Sequence, residues 1–236
     1  MSRKLYVFDV GNTLVVKPNN TMDQDTVMTL CSLHDKGYII GIASMRNKAQ
    51  YDFIKKDVPF DFFIGLNGTY VELEDKTIIE QPLSEKEFKR IYSFIAKNEI
   101  SGIFHTREQL IPCDEKVNEP VFVVELFDVS SRLHNLMNFL GEDFTYHIWE
   151  RGKSCDIYSK MASKRIALQV ICECYDLCRQ NCIAFGDGFN DVDLFKFCGK
   201  TVAMETAPDA LKKISTYITK SAKQQGVVWA LNNLDL

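Results

Sequence analysis

No run of apolar residues in this 236-residue chain approaches the roughly 20 needed to span a bilayer. The opening "MSRKLYVFDV" carries basic residues but no apolar stretch of signal-peptide kind before Asp9. A cytoplasmic location is therefore expected, without a membrane partner. Positive charge is not in excess either. Lys and Arg number 28 against 32 Asp and Glu, a net charge of −4, which argues against a nucleic-acid partner. An anionic substrate would have to be met by local features: a metal, a lysine or helix N-termini. His34, His105, His134 and His147 show no ligand spacing. The eight cysteines form no disulfide framework and read as reduced thiols. No repeat, low-complexity tract or flexible linker divides the chain.

What is present is an ordinary globular composition, 46% hydrophobic and 25% charged, long enough for one large domain or a domain with an insertion. "KLYVFDV" is apolar on both faces, as a central parallel strand should be. A helix follows, with Val27, Leu30, Cys31 and Leu33 at helical spacing and Gly37 as its stop. "IIGIAS", the helix "NKAQYDFIKKD" and the strand "FDFFIGLNG" continue the alternation. The implied fold is α/β, a doubly wound, mostly parallel Rossmann-like sheet with active groups at the strands' carboxyl ends.

Between residues 81 and 156 the rhythm changes. Helices over Ser84–Asn98 and Ser130–Leu140 mix with short strands near Gly102–His105, Val121–Phe127 and Thr145–Glu150, which reads as an inserted α+β domain. After "CDIYSK" come a helix over Ser163–Cys178, the strand "CIAFGD" and further βα units. The core domain would thus be discontinuous, residues 1–80 and 157–236.

If the two halves share one sheet, Asp9, Ser44, Lys164 and the loop "GDGFND" converge. Carboxylates, a hydroxyl, an ammonium and a glycine-rich turn suit phosphoryl transfer through a hard cation such as Mg²⁺. Lysine supplies a point charge, while hydroxyl and backbone N–H groups orient phosphate oxygens.

"FDVGNTL", "IASMR", "NGTYV", "ASKRIAL", "FGDGFNDVDLF", "VAMETAPDALK" and "YITKSAKQQGVVWAL" stand in an order that resembles the haloacid dehalogenase superfamily. The resemblance is to its Cof-type phosphatases, whose α+β cap (type IIB) is inserted between the second and third motifs. It spans essentially the whole chain. It implies an Asp9 nucleophile that becomes an aspartyl-phosphate, with Ser44 and Asn190 on the transferring phosphate and Lys164 neutralising both. Mg²⁺ would be held by Asp9, Asp187 and the carbonyl of Gly11, with Asp191 supporting metal-bound water or Lys164. A cap closing over the site would choose the leaving group of a small phosphorylated metabolite such as a sugar phosphate.

Three positions depart from the family pattern. Asp-x-Asp-Gly-Thr is usual, and here the second Asp is Gly11, followed by Asn12. That acid normally protonates the leaving group and then activates water, help worth roughly 10²–10⁴ in rate. Met45 and Glu205 stand where glycine is common. Two alternatives follow: a catalytically weak protein that binds a phosphorylated ligand as a sensor or interaction module, and a phosphotransferase. His105 and His147, on expected cap strands, are candidates to touch substrate or supply the missing acid.

Simpler roles remain open for single residues. Ser44 reads as a helix N-cap, a phosphate ligand or both, and Arg46 as a cap-facing group or a helix cap. Asn67-Gly68 is first of all a turn, with a substrate-side role open for Asn67. Cys174 and Cys178 sit four apart on the expected helix, while Cys172 points elsewhere and Cys182 begins a strand. They read as small apolar residues rather than a zinc site. A monomer and a homodimer are both compatible with the sequence.

Overall fold

The computed structural model describes residues 3–16, 21–149 and 152–236. The chain runs β1 (Leu5–Phe8), α1 (Gln24–Asp35), β2 (Ile39–Ala43), α2 (Lys48–Lys55), β3 (Phe62–Gly65), β4 (Tyr70–Leu73) and β5 (Lys76–Glu80). It continues through α3 (Glu85–Asn98), β6 (Gly102–His105), β7 (Leu110–Pro112), β8 (Val123–Phe127), α4 (Leu133–Leu140), β9 (Phe144–Trp149) and β10 (Ser154–Ser159). Then come α5 (Lys164–Cys174), β11 (Cys182–Gly186), α6 (Val192–Phe197), β12 (Lys200–Ala203), α7 (Asp209–Lys212), β13 (Tyr217–Ile218) and α8 (Gly226–Asn233).

Eight strands form one sheet in the order β13-β12-β11-β1-β2-β3-β4-β5. The strands from β13 to β3 are parallel, with β1 at the centre between β11 and β2. Every residue of β1, β2, β3 and β11 is buried, because helices cover both faces. The two apolar layers are separate: Tyr6, Phe8, Ile42 and Phe185 on one side, Leu5, Val7, Ala43 and Ala184 on the other. The α/β expectation holds. The antiparallel hairpin β4–β5 was not expected. Its Glu74-Asp75 turn has φ of +47° and +62°, the left-handed pair that matches strand twist in a two-residue hairpin.

The second sheet has the order β7-β6-β8-β10-β9 and all its neighbours are antiparallel. One face, with Phe104, Val124, Leu126, Cys155 and Ile157, packs on Ile91, Ile95, Leu136 and Leu140 of α3 and α4. A buried Leu, Ile or Phe in such a layer contributes about 1.5–3 kcal/mol. Strand β10 belongs to this sheet, so its pairing runs past residue 156 to Ser159. The strand read as Thr145–Glu150 is Phe144–Trp149 among the described residues, and Glu150 lies outside them. The helix read over Ser163–Cys178 stops at Cys174, where Asp176 turns left-handed at φ +51°. Cys178 is therefore in the following loop.

Candidate active site

β1 and β11 are adjacent and parallel, so their carboxyl ends lie side by side. Asp9 follows β1, with its N–H donating to the Phe185 carbonyl at 2.9 Å. The loop Asp187–Asp191 follows β11. Lys164 is the first residue of α5, whose N-cap Ser163 accepts from the Ile166 N–H at 3.2 Å. This cap starts the helix where its first side chain reaches the sheet edge. Gly68 permits the approach: a Cβ there would lie 2.3 Å from the Ser163 carbonyl oxygen, and its φ is +97°.

The result is a buried charge cluster. Lys164 Nζ donates to Asp9 Oδ1 at 3.0 Å and to Asp191 Oδ1 at 2.7 Å. Lys164 is 1% exposed and Asp9 7% exposed, so these bonds are shielded from water. Burial opposes the Lys164 charge, but Asp191 and Asp9 outweigh it and hold the ammonium above its usual range. Burial pushes Asp9 up to about 6, with Lys164 pulling down and Asp191 pushing up. Asp187 is pushed up to about 7 by burial and by Asp9 and Asp191.

Asp9, Asp187 and Asp191 each offer a carboxylate oxygen, all within 4.8 Å of one another. Two buried carboxylates and a partly buried third, mutually repelling and with hard oxygen donors, fit a cation of the Mg²⁺ type. The three are not equivalent. Asp191 Oδ1 is taken by Lys164, and its Oδ2 accepts from the N–H groups of Asp187 and Gly188 at 3.1 and 3.0 Å. Asp191 thus shapes the loop and anchors Lys164, leaving Asp9 and Asp187 as the carboxylates with more free lone pairs. Asp187 Oδ2 accepts from Asn12 Nδ2 at 3.2 Å. Asn12 sits at φ +55°, a conformation asparagine tolerates. This orienting bond was not anticipated, although an asparagine in the usual glycine position was the signal for it.

The opposite rim comes from β2 and β3. The Ser44 N–H donates to the Ile64 carbonyl, and the Asn67 N–H to the Ser44 carbonyl, at 2.8 and 3.1 Å. Ser44 does not cap α2. That role belongs to Asn47, which accepts from the Gln50 N–H at 3.2 Å and forms a capping box. The Ser44 hydroxyl instead accepts from the Arg46 N–H at 3.3 Å. Arg46 is half-buried, and burial lowers its pKa while Asp9 raises it, so the guanidinium senses the cluster. Asn67 is fully buried in the left-handed region, and its Oδ1 accepts from Asn190 Nδ2 at 3.1 Å. Asn67-Gly68 is a turn, as expected, of 3₁₀ form; it connects the antiparallel strands β3 and β4, and Asn67 ties it to the loop after β11.

Gly11 has an ordinary φ, and among the described residues no heavy atom lies within 4 Å of where its Cβ would stand. His105 is bonded to Glu125 at 3.1 Å and His147 to the Tyr158 hydroxyl at 2.9 Å. Burial and then the Lys164 charge lower the His147 pKa. Cys172 and Cys182 are buried with their sulfurs 3.2 Å apart, and all eight cysteines are free. Sequence reasoning also passed over Trp149 and Asp156, on adjacent strands of the second sheet, whose side chains share a 2.8 Å hydrogen bond. Their pairing depends on strand register, which no local motif announces.

The model of the haloacid dehalogenase-like hydrolases matches residues 6–122 and 104–231. The chain belongs to this family. Among relatives, a putative phosphatase, YkrA, of Bacillus subtilis is 24% identical over 100% of this chain and 99% of its own length. A putative bifunctional phosphatase/peptidyl-prolyl cis-trans isomerase of Streptococcus pyogenes is 27% identical over 99% of this chain, which spans 54% of that protein's length. The solved HAD subclass IIB sugar phosphatase BT4131 has the same fold, with a TM-score of 0.85, 21% identity and 97% and 98% of the two chains covered. The Cof-type resemblance read in the motifs stands with these matches, as does a hydrolase of the phosphomonoesterase kind. Among the described residues no helix of this family member is long and apolar enough to cross a membrane.

Proposed function

We propose that this chain is a Mg²⁺-dependent phosphatase of a small phosphorylated metabolite, of sugar-phosphate type, acting through an aspartyl-phosphate on Asp9. The observation that carries the reading is the buried Lys164 ammonium bonded to both Asp9 and Asp191 beside Asp187. Lys164 holds Asp9 Oδ1, which aims the other carboxylate oxygen at phosphorus. That oxygen forms the new P–O bond as the bond to the leaving oxygen breaks. Ser44, Asn190 and Lys164 bind the transferring phosphoryl oxygens, and Arg46 and Asn67 line the substrate side. A bound Mg²⁺, held by Asp9, Asp187 and the Gly11 carbonyl, would offset phosphate charge. Water then cleaves the aspartyl-phosphate and restores Asp9. The 21% identical subclass IIB sugar phosphatase supports the substrate class through the shared cap-bearing architecture.

Gly11 favours a second reading, a protein that binds a phosphorylated ligand with little turnover, because no side chain at position 11 can move the proton. Phosphate release from a panel of phosphometabolites with Mg²⁺ separates the two. Under the first reading Asp9→Asn lowers release by about 10³-fold or more. Full activity in Asp9→Asn would sink it, and ligand-induced thermal stabilisation without turnover would establish the second.

A further inference from the structure

The face of the second sheet opposite its hydrophobic layer carries a group of polar side chains. Cross-strand register places His147, Asp156 and Glu125 in one row, flanked by Trp149, Tyr158 and His105 two residues along their strands. This face turns toward the eight-stranded unit, since Val123 and Tyr158 join the core layer of Phe8 and Leu66. Asp156 is the most deeply placed acid of the row, 2% exposed. Its Oδ2 accepts from Trp149 Nε1 at 2.8 Å. The Trp149 ring in turn lies over the loop after β11, where a Cβ on Gly188 would come within 3.2 Å of it. On the other side Asn67 acts on the ionisation of Asp156, and its own Nδ2 is buried with no hydrogen-bond partner. Asn67 holds Asn190. The Asp156 carboxyl therefore stands between Trp149, which it bonds, and Asn67, whose Nδ2 is the unpartnered donor beside it, and these two touch opposite ends of the same loop.

We propose that Asp156 is a positioning residue for phosphoryl transfer, fixing Trp149 over Gly188 and Asn67 against Asn190 so that the inserted unit orders the loop Asp187–Asp191. The inference rests on the phosphatase reading for its purpose, but not for its geometry. It also makes the contact sensitive to protons. Burial pushes the Asp156 carboxyl up to about 7; Glu125 adds to the rise, while Trp149, Asn67 and Lys164 oppose it. The groups facing it are Glu125 from β8, His147 and Trp149 from β9, Lys164 from α5 and Asn67, with His105 and Tyr158 bonded behind Glu125 and His147. An exposed Asp titrates near 4. Bringing the two surfaces together therefore takes up a proton on Asp156. The juxtaposition is fully favoured below pH about 4, weakens as pH rises, and levels off above about 7.

The test uses the full chain with Trp229→Phe, leaving Trp149 as the one remaining tryptophan of two. Its emission should titrate with a midpoint near 7, and Asp156→Asn, which keeps an acceptor for the indole N–H, should remove that step. In turnover of p-nitrophenyl phosphate, KM of the parent should rise between pH 5 and 8 by about tenfold relative to Asp156→Asn. Asp156→Leu should raise KM at every pH. An emission step absent from the Trp229→Phe protein itself, or present unchanged in Asp156→Asn, overturns the proposal. If no substrate turns over, the phosphatase reading fails while the emission titration still decides the role of Asp156.

Discussion

The two sheets treat polar groups in opposite ways. In the eight-stranded sheet the central strands are apolar throughout, and polarity is confined to their carboxyl ends, where Asp9 and Asp191 flank Lys164. In the five-stranded sheet polar groups lie within a strand face, where His105, Glu125, His147 and Asp156 stand among Ile103, Val123 and Phe127. The first arrangement follows from helices on both faces of a parallel sheet; the second from helices on one face only. A point-like site demands full burial and mutual charge compensation. A polar face can distribute hydrogen bonds among several side chains and still keep its other face as a core. The buried charges thus gather at strand ends in one unit and lie within a strand face in the other.

The sharpest way to break this comparison is to remove the charge that holds the strand ends together. Lys164→Met leaves Asp9 and Asp191 buried without their cation, and should cost about 3–5 kcal/mol in urea unfolding of the metal-free protein. A loss under 1 kcal/mol would mean that the carboxylates are compensated elsewhere. Gly11→Asp asks which unit moves the proton. The side chain has room, and phosphate release should rise by about 10²-fold or more. Unchanged release would mean that another group has that role and the site is tuned around glycine.

A gentler probe uses protons against metal. Asp9 and Asp187 have pKa values raised to about 6 and about 7, so the folded state holds protons that the unfolded state has released. Stability of the metal-free protein from this source is greatest below pH about 4 and declines as pH rises to about 7. Mg²⁺ should reverse the trend, stabilising by about 2.7 kcal/mol at a hundredfold excess over Kd and by less at low pH, where protons compete. Thermal melts at pH 5 and 8 with EDTA or Mg²⁺ measure it, and equal shifts at both values would dissociate the cation from these carboxylates. The smallest effect is expected from Asn12→Gly, which keeps the left-handed backbone but loses the bond to Asp187. Mg²⁺ affinity by calorimetry should fall about tenfold, as for other groups that orient a ligand.

Much of the core was legible because its signals are local. "KLYVFDV" announces a doubly buried strand by composition alone, and "GDGFND" announces a loop that needs glycine. The Glu74-Asp75 hairpin was missed because a short apolar strand beside a charged turn resembles a loop. Of the two roles open to Ser44, the helix cap falls to Asn47, whose side chain stands three residues before the Gln50 N–H, a choice that the sequence leaves open because serine and asparagine both cap. Asn12 is legible as an asparagine in the family's usual glycine position, but its bond to Asp187 joins residues 175 apart in the chain and is not.

By itself the sequence determined which residue types stand at the strand ends, and that position 11 carries no acid, because those depend on neighbours in the chain and on buried-strand composition. Only the tertiary structure decided that Asp191 spends both oxygens on Lys164 and the loop N–H groups, leaving Asp9 and Asp187 freer to bind a cation. It alone decided that Asp156 meets Trp149 and that Trp149 lies over Gly188. The reason is register. A shift of one residue in β10 would turn Asp156 into the hydrophobic layer and Cys155 toward the site, and that choice is made by packing against α3 and α4.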